Sequence, residues 1–592
     1  MPQPKTLADW LADYRAGASL RDRLPAMRAR LAAAGAPVYL HVASEAALEA
    51  QIQVLQQRAA ACADADALAA AMPLFGVPFA VKDNIDIAGE PTTAACPAFA
   101  HLAPRHATVV RKLLDAGAVW LAKTNLDQFA TGLVGTRSPY GAPASVFAAD
   151  RVSGGSSSGS AVAVARGDLP FALGTDTAGS GRVPAAFNGL VGLKPTPGRV
   201  GSAGVLPACR TLDCVSILAH RVDDAAAVLA VIEGSDADDA YSAFAPGPAR
   251  LPERLRLGVP TATPPLDAEV ALAFDAAVEN ARELGHEIVR VDFAPLFEVA
   301  ALLYEGPWVA ERHAVLRELI AREPQALDPT VRAVVERAAS FSATDTFEAQ
   351  YRLRELAQRA ADVWRGCDLL LVPSAPNHPS FAEVAADPIG ANARLGAFTN
   401  FVNLLGWCAL ALPAGRTAGG LPFGVTFIGA GGLDAALAEV GRRWCGEADA
   451  SPALPRPASA ATLPIAVVGA HLDGLPLNGQ LLERGATLRE RTTTAPLYRL
   501  FALPETTPPK PGLLRSATGG HAIEVEVWEL PLAAVGSFLA LVPPPLALGS
   551  IVLADGSAVH GFLCEPHALA GATDISAFGG WRAWLARADR HA

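Results

Sequence analysis

Paired cysteines are missing from this sequence. Its eight cysteines, Cys62, Cys96, Cys209, Cys214, Cys367, Cys408, Cys445 and Cys564, form no CxxC pair, and none stands with histidines at zinc-finger spacing. That excludes a disulfide framework and a thiolate zinc site. The cysteines read as scattered reduced thiols, with Cys209 and Cys214 as buried packing. A basic excess is missing too. The net charge is −11, spread along the chain, so no nucleic-acid surface is expected. No run approaches the roughly 20 apolar residues of a membrane helix. The opening stretch MPQPKTLADWLADYRAG lacks a basic-then-apolar signal pattern. A cytoplasmic protein without metal, cofactor, nucleic acid or membrane is the expectation.

What is present is a long, ordinary globular composition: 592 residues, 51% hydrophobic and 18% charged. Such a chain buries a large core and divides into more than one domain. Residues Leu7–Ala34 have helical spacing, Val38–Val42 reads as a strand, and Ser44 caps a further helix. Phe75–Val81 is a buried strand running into Lys82. Thr108–Ala116 reads as helix and Ala118–Ala122 as strand. The alternation continues through Leu255–Val259, Asp267–Leu284, Glu287–Val291, Leu369–Pro373 and Phe423–Ile428. It predicts an α/β layer fold. Residues 447–464 are rich in Pro, Ala and Ser and read as a linker. A smaller α+β domain is expected over 465–592, with strands at Ile465–Ala470, Ala522–Leu530, Ile551–Leu553 and Val559–Phe562.

The segment Ser153–Arg182, SGGSSSGSAVAVARGDLPFALGTDTAGSGR, carries the chemistry. Gly154 and Gly155 free the backbone before three serines. A second small-residue run, Gly174–Gly181, leaves a strand and ends around Ser180. Closely approaching backbone N–H groups suit an oxyanion hole, and a serine there is a nucleophile if a base is near. Two Gly/Ser loops without chemistry are the alternative. A P-loop is a third reading, weakened because no GxxxxGK(S/T) occurs.

These residues resemble the amidase signature family. The GGSS turn, the following strand and the Asp176–Arg182 loop match its pattern. So do the spacings of 24 residues from Ser156 to Ser180 and 74 from Lys82 to Ser156. The strand Gly76–Lys82 with Asp83 and Asn84, the run Gly192–Thr196 and the run Gly420–Val425 match as well. The resemblance covers roughly residues 5–450. It implies the amidase-signature fold, a large mixed sheet covered by helices, over residues 1–446. It implies Ser180 as nucleophile, Ser156 as a bridging serine on a cis peptide, and Lys82 as general base. The N–H groups of Thr177, Ala178, Gly179 and Ser180 would form the oxyanion hole. A lysine base must be neutral, so Lys82 should be buried, with few carboxylates near it and a lowered pKa. Asp83 should point away from the Lys82 side. Asp176 and Arg182 are expected to hold the loop, and Lys123 has no role.

Two features resemble the allophanate hydrolase branch of that family. Thr136 and Arg137 replace a more usual Asn-Ser pair. Tyr304 and Arg312 stand eight residues apart, about two helical turns, so that both can face one carboxylate. Residues 465–592 resemble that branch's C-terminal domain, similar to the γ-glutamyl cyclotransferase fold. The matching stretches are Val467–Leu472, Pro476–Asn478 and Tyr498–Leu500. His471 is the candidate residue there, with Glu524 and Glu526 as possible pocket walls; Phe578–Arg582 reads as a packing corner. The resemblance implies hydrolysis of the terminal amide of allophanate to ammonia and N-carboxycarbamate, and a homodimer. The alternatives are another amidase, such as one of the amidotransferase A-subunit type, and an inactive amidase-like scaffold, against which the intact Lys82, Ser156 and Ser180 weigh.

Overall fold

The computed structural model describes residues 6–447, 454–504 and 506–588. The chain divides into two compact units, Met1–Ala245 with Arg256–Ala458, and Pro246–Leu255 with Ser459–Ala592. Among the described residues the larger unit is built on a sheet of eleven strands. In chain order they are β1 (Tyr39–Val42), β2 (Pro78–Lys82), β3 (Val119–Thr124), β4 (Phe171–Asp176), β5 (Val191–Lys194) and β6 (Cys214–Ala219). There follow β7 (Arg256–Pro260), β8 (Glu287–Val291), β9 (Leu369–Pro373), β10 (Cys408–Arg416) and β11 (Pro422–Gly429).

Their order across the sheet is β1-β3-β2-β4-β6-β5-β10-β11-β9-β7-β8. β3, β2 and β4 run parallel, as do β9, β7 and β8. The strands between β4 and β9 pair antiparallel. This is the mixed sheet anticipated from the resemblance. Its central strands are buried along their whole length, as expected of a sheet covered on both faces.

Helices begin where the side chains dictate. Ser44 caps Glu45–Ala60 by accepting from Ala47 N–H, although position 47 lacks the acidic partner of a capping box. The helical stretch expected over Leu7–Ala34 forms two helices, Leu7–Arg15 and Leu20–Ala34. Gly17 takes a left-handed φ of 94° and Ser19 caps the second helix through its side chain, so a break and a restart outweigh the continuous periodicity.

The smaller unit has a five-stranded sheet. Thr462–Val467 lies at its centre, flanked by Glu524–Pro531 and Ala558–Cys564, with Thr487–Thr493 and Leu546–Val552 at the edges. A three-stranded sheet formed by Tyr498–Ala502, Pro511–Arg515 and Thr573–Asp574 adds to it. Its core includes Ile465, Tyr498, Val525, Trp528, Phe538 and Trp581. The stretch read as a linker falls partly on 448–453, outside the described residues. The rest of it is tied down. The Glu447 carboxylate accepts from Val222 and Asp223 N–H at the start of the helix Val222–Ile232. Arg199 donates to the Ala458 carbonyl at 2.7 Å. Among the described residues no helix is long and apolar enough to cross a membrane.

Phe79 on β2 and Phe171 on β4 face each other in register and stack at 5.6 Å with an 8° interplanar angle, both fully buried. They lock together the two strands whose ends carry Lys82 and Asp176. Phe171→Ala should therefore destabilise the larger unit by about 3–5 kcal/mol. Urea unfolding checks this, and an unchanged midpoint would contradict the packing described.

Candidate active site

Because β2 and β4 are parallel and in register, their carboxyl ends open on the same edge of the sheet, where α/β enzymes place ligands. Lys82 closes β2 and Thr175 and Asp176 close β4. The Lys82 Nζ donates to Ser156 Oγ at 2.7 Å and to Thr175 Oγ1 at 2.8 Å. Ser156 follows a cis peptide from Gly155. The loop can sit there only because Gly155 has no side chain. A Cβ would lie 2.1 Å from the Asp127 carboxylate, well inside contact distance. Lys82 and Ser156 are fully buried and Ser180 is 2% exposed.

Burial drives the Lys82 ammonium down to about 7, opposed by the carboxylates Asp127, Asp213 and Asp176 and aided by Arg312. Among the described residues none of these carboxylates forms an ion pair with Lys82. Desolvation thus outweighs the carboxylates, as a lysine base requires. Asp83 does turn away. It accepts from Thr93 N–H at 3.0 Å and pairs with the buried Lys123 at 3.0 Å, which gives Lys123 a structural task.

The loop after β4 is fixed by Asp176. Its carboxylate takes a two-pronged contact from Arg182, at 2.9 Å from Nε and 2.8 Å from Nη2. Burial raises the Asp176 pKa, but Arg182 and the neighbouring donors more than offset this and the net shift is downward. Asp176 also accepts from Gly179 N–H at 2.8 Å and Gly181 N–H at 3.0 Å. This corrects one expectation: the Gly179 N–H is committed to Asp176 and is not open to substrate. Gly179 has a φ of 135°, which lets the chain turn back on that carboxylate. The N–H groups of Thr177, Ala178 and Ser180 have no protein acceptor among the described residues. Ser180 Oγ donates to the Gly132 carbonyl at 3.4 Å and makes no hydrogen bond with Ser156 in this state.

Tyr304 and Arg312 do meet, but not on one helix face. Tyr304 lies in the last turn of the helix Ala294–Glu305 and Arg312 in the next helix, Val309–Arg322. Gly306 and Pro307 interrupt the periodicity that the eight-residue spacing assumed; Pro307 brings no N–H to a continuing helix. The turn instead folds the Tyr304 ring to within 5.5 Å of the Arg312 guanidinium, and Nη2 approaches the phenol oxygen at 3.5 Å. Arg312 also donates to Thr131 Oγ1 at 3.0 Å. It is 2% exposed, and among the described residues no carboxylate pairs with it. Arg137 is buried as well. It donates to the carbonyls of Thr131 and Pro388, both at 2.8 Å, and so shapes the loop that Arg312 contacts.

Several residues of this site were not singled out in the sequence. Thr175 holds the second hydrogen bond of Lys82, Asp127 props the serine loop, and Thr131 and Gly132 contact Arg312 and Ser180. The adjacency of Thr175 to the loop motif was the available signal. Among the described residues no group of three or more His, Cys, Asp or Glu side chains is placed to hold a metal ion.

In the smaller unit His471 Nε2 lies 2.9 Å from Gln480 Oε1 and its ring packs edge-on to Phe538. Burial lowers its pKa, against the Gln480 contact. It lines a small cavity with Val468, Gly469, Lys510 and Phe562. Glu526 does not line that cavity. It is fully buried beneath Arg582 and Arg491, and Arg582 pairs with Glu524 too. These carboxylates hold the fold, and the packing corner holds them.

A buried lysine hydrogen-bonded to one serine, with a second serine on an N–H-rich turn, defines a serine-dependent amidase architecture. The chain belongs to the amidase family, whose model it matches over residues 29–437. Residues 463–586 match the allophanate hydrolase C-terminal domain. The chain is 43% identical over 578 residues to the urea amidolyase of Lachancea kluyveri and 44% identical over 543 residues to that of Saccharomyces cerevisiae. These matches take in 93% and 87% of this chain but only 31% and 30% of those longer proteins. The allophanate hydrolase structure from Kluyveromyces lactis superposes with a TM-score of 0.75 at 40% identity, covering 98% of this chain and 99% of that one. The A-subunit of the glutamyl-tRNA(Gln) amidotransferase of Acidobacterium capsulatum is 35% identical over 407 residues, covering 63% of this chain and 85% of that protein.

A lysine acting as general base near pH 7 would leave a signature. The kcat/KM for any amide substrate should rise through a limb centred near the Lys82 value of about 7 and level off above it. Lys82→Arg, which stays protonated, should abolish turnover. A flat profile between pH 5.5 and 8.5 would contradict Lys82 as the base.

Proposed function

We propose that the chain is an allophanate hydrolase. The observation that carries this is Arg312, a buried guanidinium against the loop that also meets Ser180, with hydroxyl and carbonyl partners and, among the described residues, no carboxylate paired with it. Such a cation calls for an anion, and the carboxylate end of allophanate supplies one. Tyr304 adds a hydroxyl, giving a planar fork and one further donor for the same group. The likeness to urea amidolyases and to the Kluyveromyces allophanate hydrolase across both units supports the reading. The match to the amidotransferase chain takes in 63% of this chain, against 93% and 87% for the urea amidolyases, which ranks the amidotransferase reading below it.

With the carboxylate held, the terminal amide faces Ser180. Ser180 Oγ leaves Gly132, turns to Ser156 and attacks the amide carbon. Its proton passes to Ser156 Oγ as the Ser156 proton passes to neutral Lys82. The Thr177, Ala178 and Ser180 N–H groups receive the developing oxyanion, each donor typically worth about 3 kcal/mol. Collapse expels ammonia, which takes the relayed proton, and leaves an acyl group on Ser180. Water, deprotonated through the same relay, releases N-carboxycarbamate and restores Ser180. Loss of carbon dioxide from that product gives carbamate, which breaks down to ammonia and carbon dioxide.

We assign the amide step to residues 1–446 and the decarboxylation step to residues 465–592, with His471 as its candidate group and Lys510 lining the same cavity. The family likeness favours a cytoplasmic homodimer.

Ammonia release from allophanate tests the substrate directly. Wild type should release it, and Ser180→Ala should not. Arg312→Ala should raise KM by roughly 10- to 150-fold, the span of one hydrogen-bonded charge contact. Turnover of another amide with none of allophanate would overturn the assignment. For the second unit, His471→Ala should leave the first ammonia release intact and slow carbon dioxide evolution. Normal carbon dioxide kinetics would remove His471 from the pathway.

A further inference from the structure

Asp213 is the acid that immediately precedes β6, and neither the proton relay nor the substrate contacts make use of it. Its Oδ1 accepts the hydroxyl of Thr177 and, at 3.3 Å, the Cys209 N–H. Its Oδ2 accepts the Ala208 N–H at 2.7 Å. No basic side chain forms an ion pair with it among the described residues. Three donors therefore converge on one carboxylate, and one of them is the side chain of the first residue of the oxyanion turn.

The Asp176–Thr177 peptide is also held from the other side. Asn403 Nδ2 donates to the Asp176 carbonyl at 2.8 Å and to the Leu212 carbonyl at 3.0 Å. A trans peptide sends its N–H opposite to its C=O, so anchoring that carbonyl aims the Thr177 N–H away from Asn403. Asp176 already fixes the far end of the turn through Gly179 and Gly181. Without Asp213 the near end would hang on one backbone carbonyl, and Thr177 could turn about its own φ and ψ.

We propose that Asp213 is a positioning residue for amide hydrolysis, holding the oxyanion turn in register through the Thr177 hydroxyl. The inference rests on the reading of Ser180 as the nucleophile. It adds a residue that touches neither substrate nor the proton relay. A donor misplaced by a fraction of an ångström stabilises the transition state less while binding the ground state about as well. The loss should therefore fall on kcat.

The full chain carrying Thr177→Val, which removes the hydroxyl with little change of shape, tests this against Thr177→Ser, which restores it. Two readouts are taken: steady-state hydrolysis of allophanate, and the rate at which a fluorophosphonate labels Ser180. The second also builds charge in the oxyanion hole but needs no particular substrate. Thr177→Val should lose about 10- to 100-fold in kcat and in labelling rate with KM within about twofold of wild type, while Thr177→Ser returns to within about threefold. Asp213→Ala should lose a similar factor, because it removes the acceptor of the Thr177 hydroxyl. The double variant should be no worse than the poorer single one, since both act along one path. Thr177→Val with wild-type labelling, a loss that serine does not rescue, a loss confined to KM, or additive losses in the double variant would each overturn the proposal. Wild type that labels at Ser180 yet leaves allophanate intact would instead count against the substrate reading alone.

Discussion

Lys82 stands at the end of a fully buried strand with its amine between two hydroxyls, and everything else at the site serves to keep it there without a counter-charge. Burial alone would make a lysine costly, and a carboxylate in contact would stabilise it as a spent, protonated base. The structure takes a middle course. Asp127, Asp176 and Asp213 lie near enough to temper the desolvation, but each has its donors elsewhere. Asp176 is filled by Arg182, Asp127 by the Gly135 and Arg137 N–H groups, and Asp213 by Thr177, Ala208 and Cys209. A neutral amine keeps a lone pair, and the Ser156 contact can then reverse, with the serine O–H donating to nitrogen.

The buried cations divide by task in the same way. Lys123 is paired with Asp83 and Arg182 with Asp176, which makes them parts of the frame. Arg312 is buried as deeply, and its partners among the described residues are a phenol, a hydroxyl and a carbonyl. Removing one partner from a buried ion pair is strongly destabilising. A buried cation with no carboxylate paired with it among the described residues is what the proposed substrate carboxylate would complete. The loop beneath it carries Phe129 and Ala130 at φ values of 54° and 53°. Non-glycine residues rarely adopt this conformation, and it tends to be kept at functional sites.

The alternation of short apolar runs and helical stretches was enough to expect an α/β sheet, and motif order was enough to bring Lys82, Ser156 and Ser180 to one edge of it. Local periodicity failed where a break decided the geometry. Gly17 splits the first helix, and Gly306-Pro307 replaces one face of one helix with a turn between two. The N–H inventory of the oxyanion turn was not legible either. Which donors stay free depends on where the Asp176 carboxylate lands, and that follows from Arg182 and Asn403, far apart in sequence. Asp213 escaped notice because a lone acid before an apolar strand has no local pattern to mark it.

The proposed relay turns on the charge of Lys82. A proton titration of this one amine by NMR on lysine-labelled protein, with Lys82→Met to assign the signal, reads it directly. A midpoint near 7, about 3.5 pH units below the ordinary lysine value of 10.5, is the predicted result. A midpoint near that ordinary value would mean that the lysine is charged at neutral pH, and the relay through Ser156 could not begin.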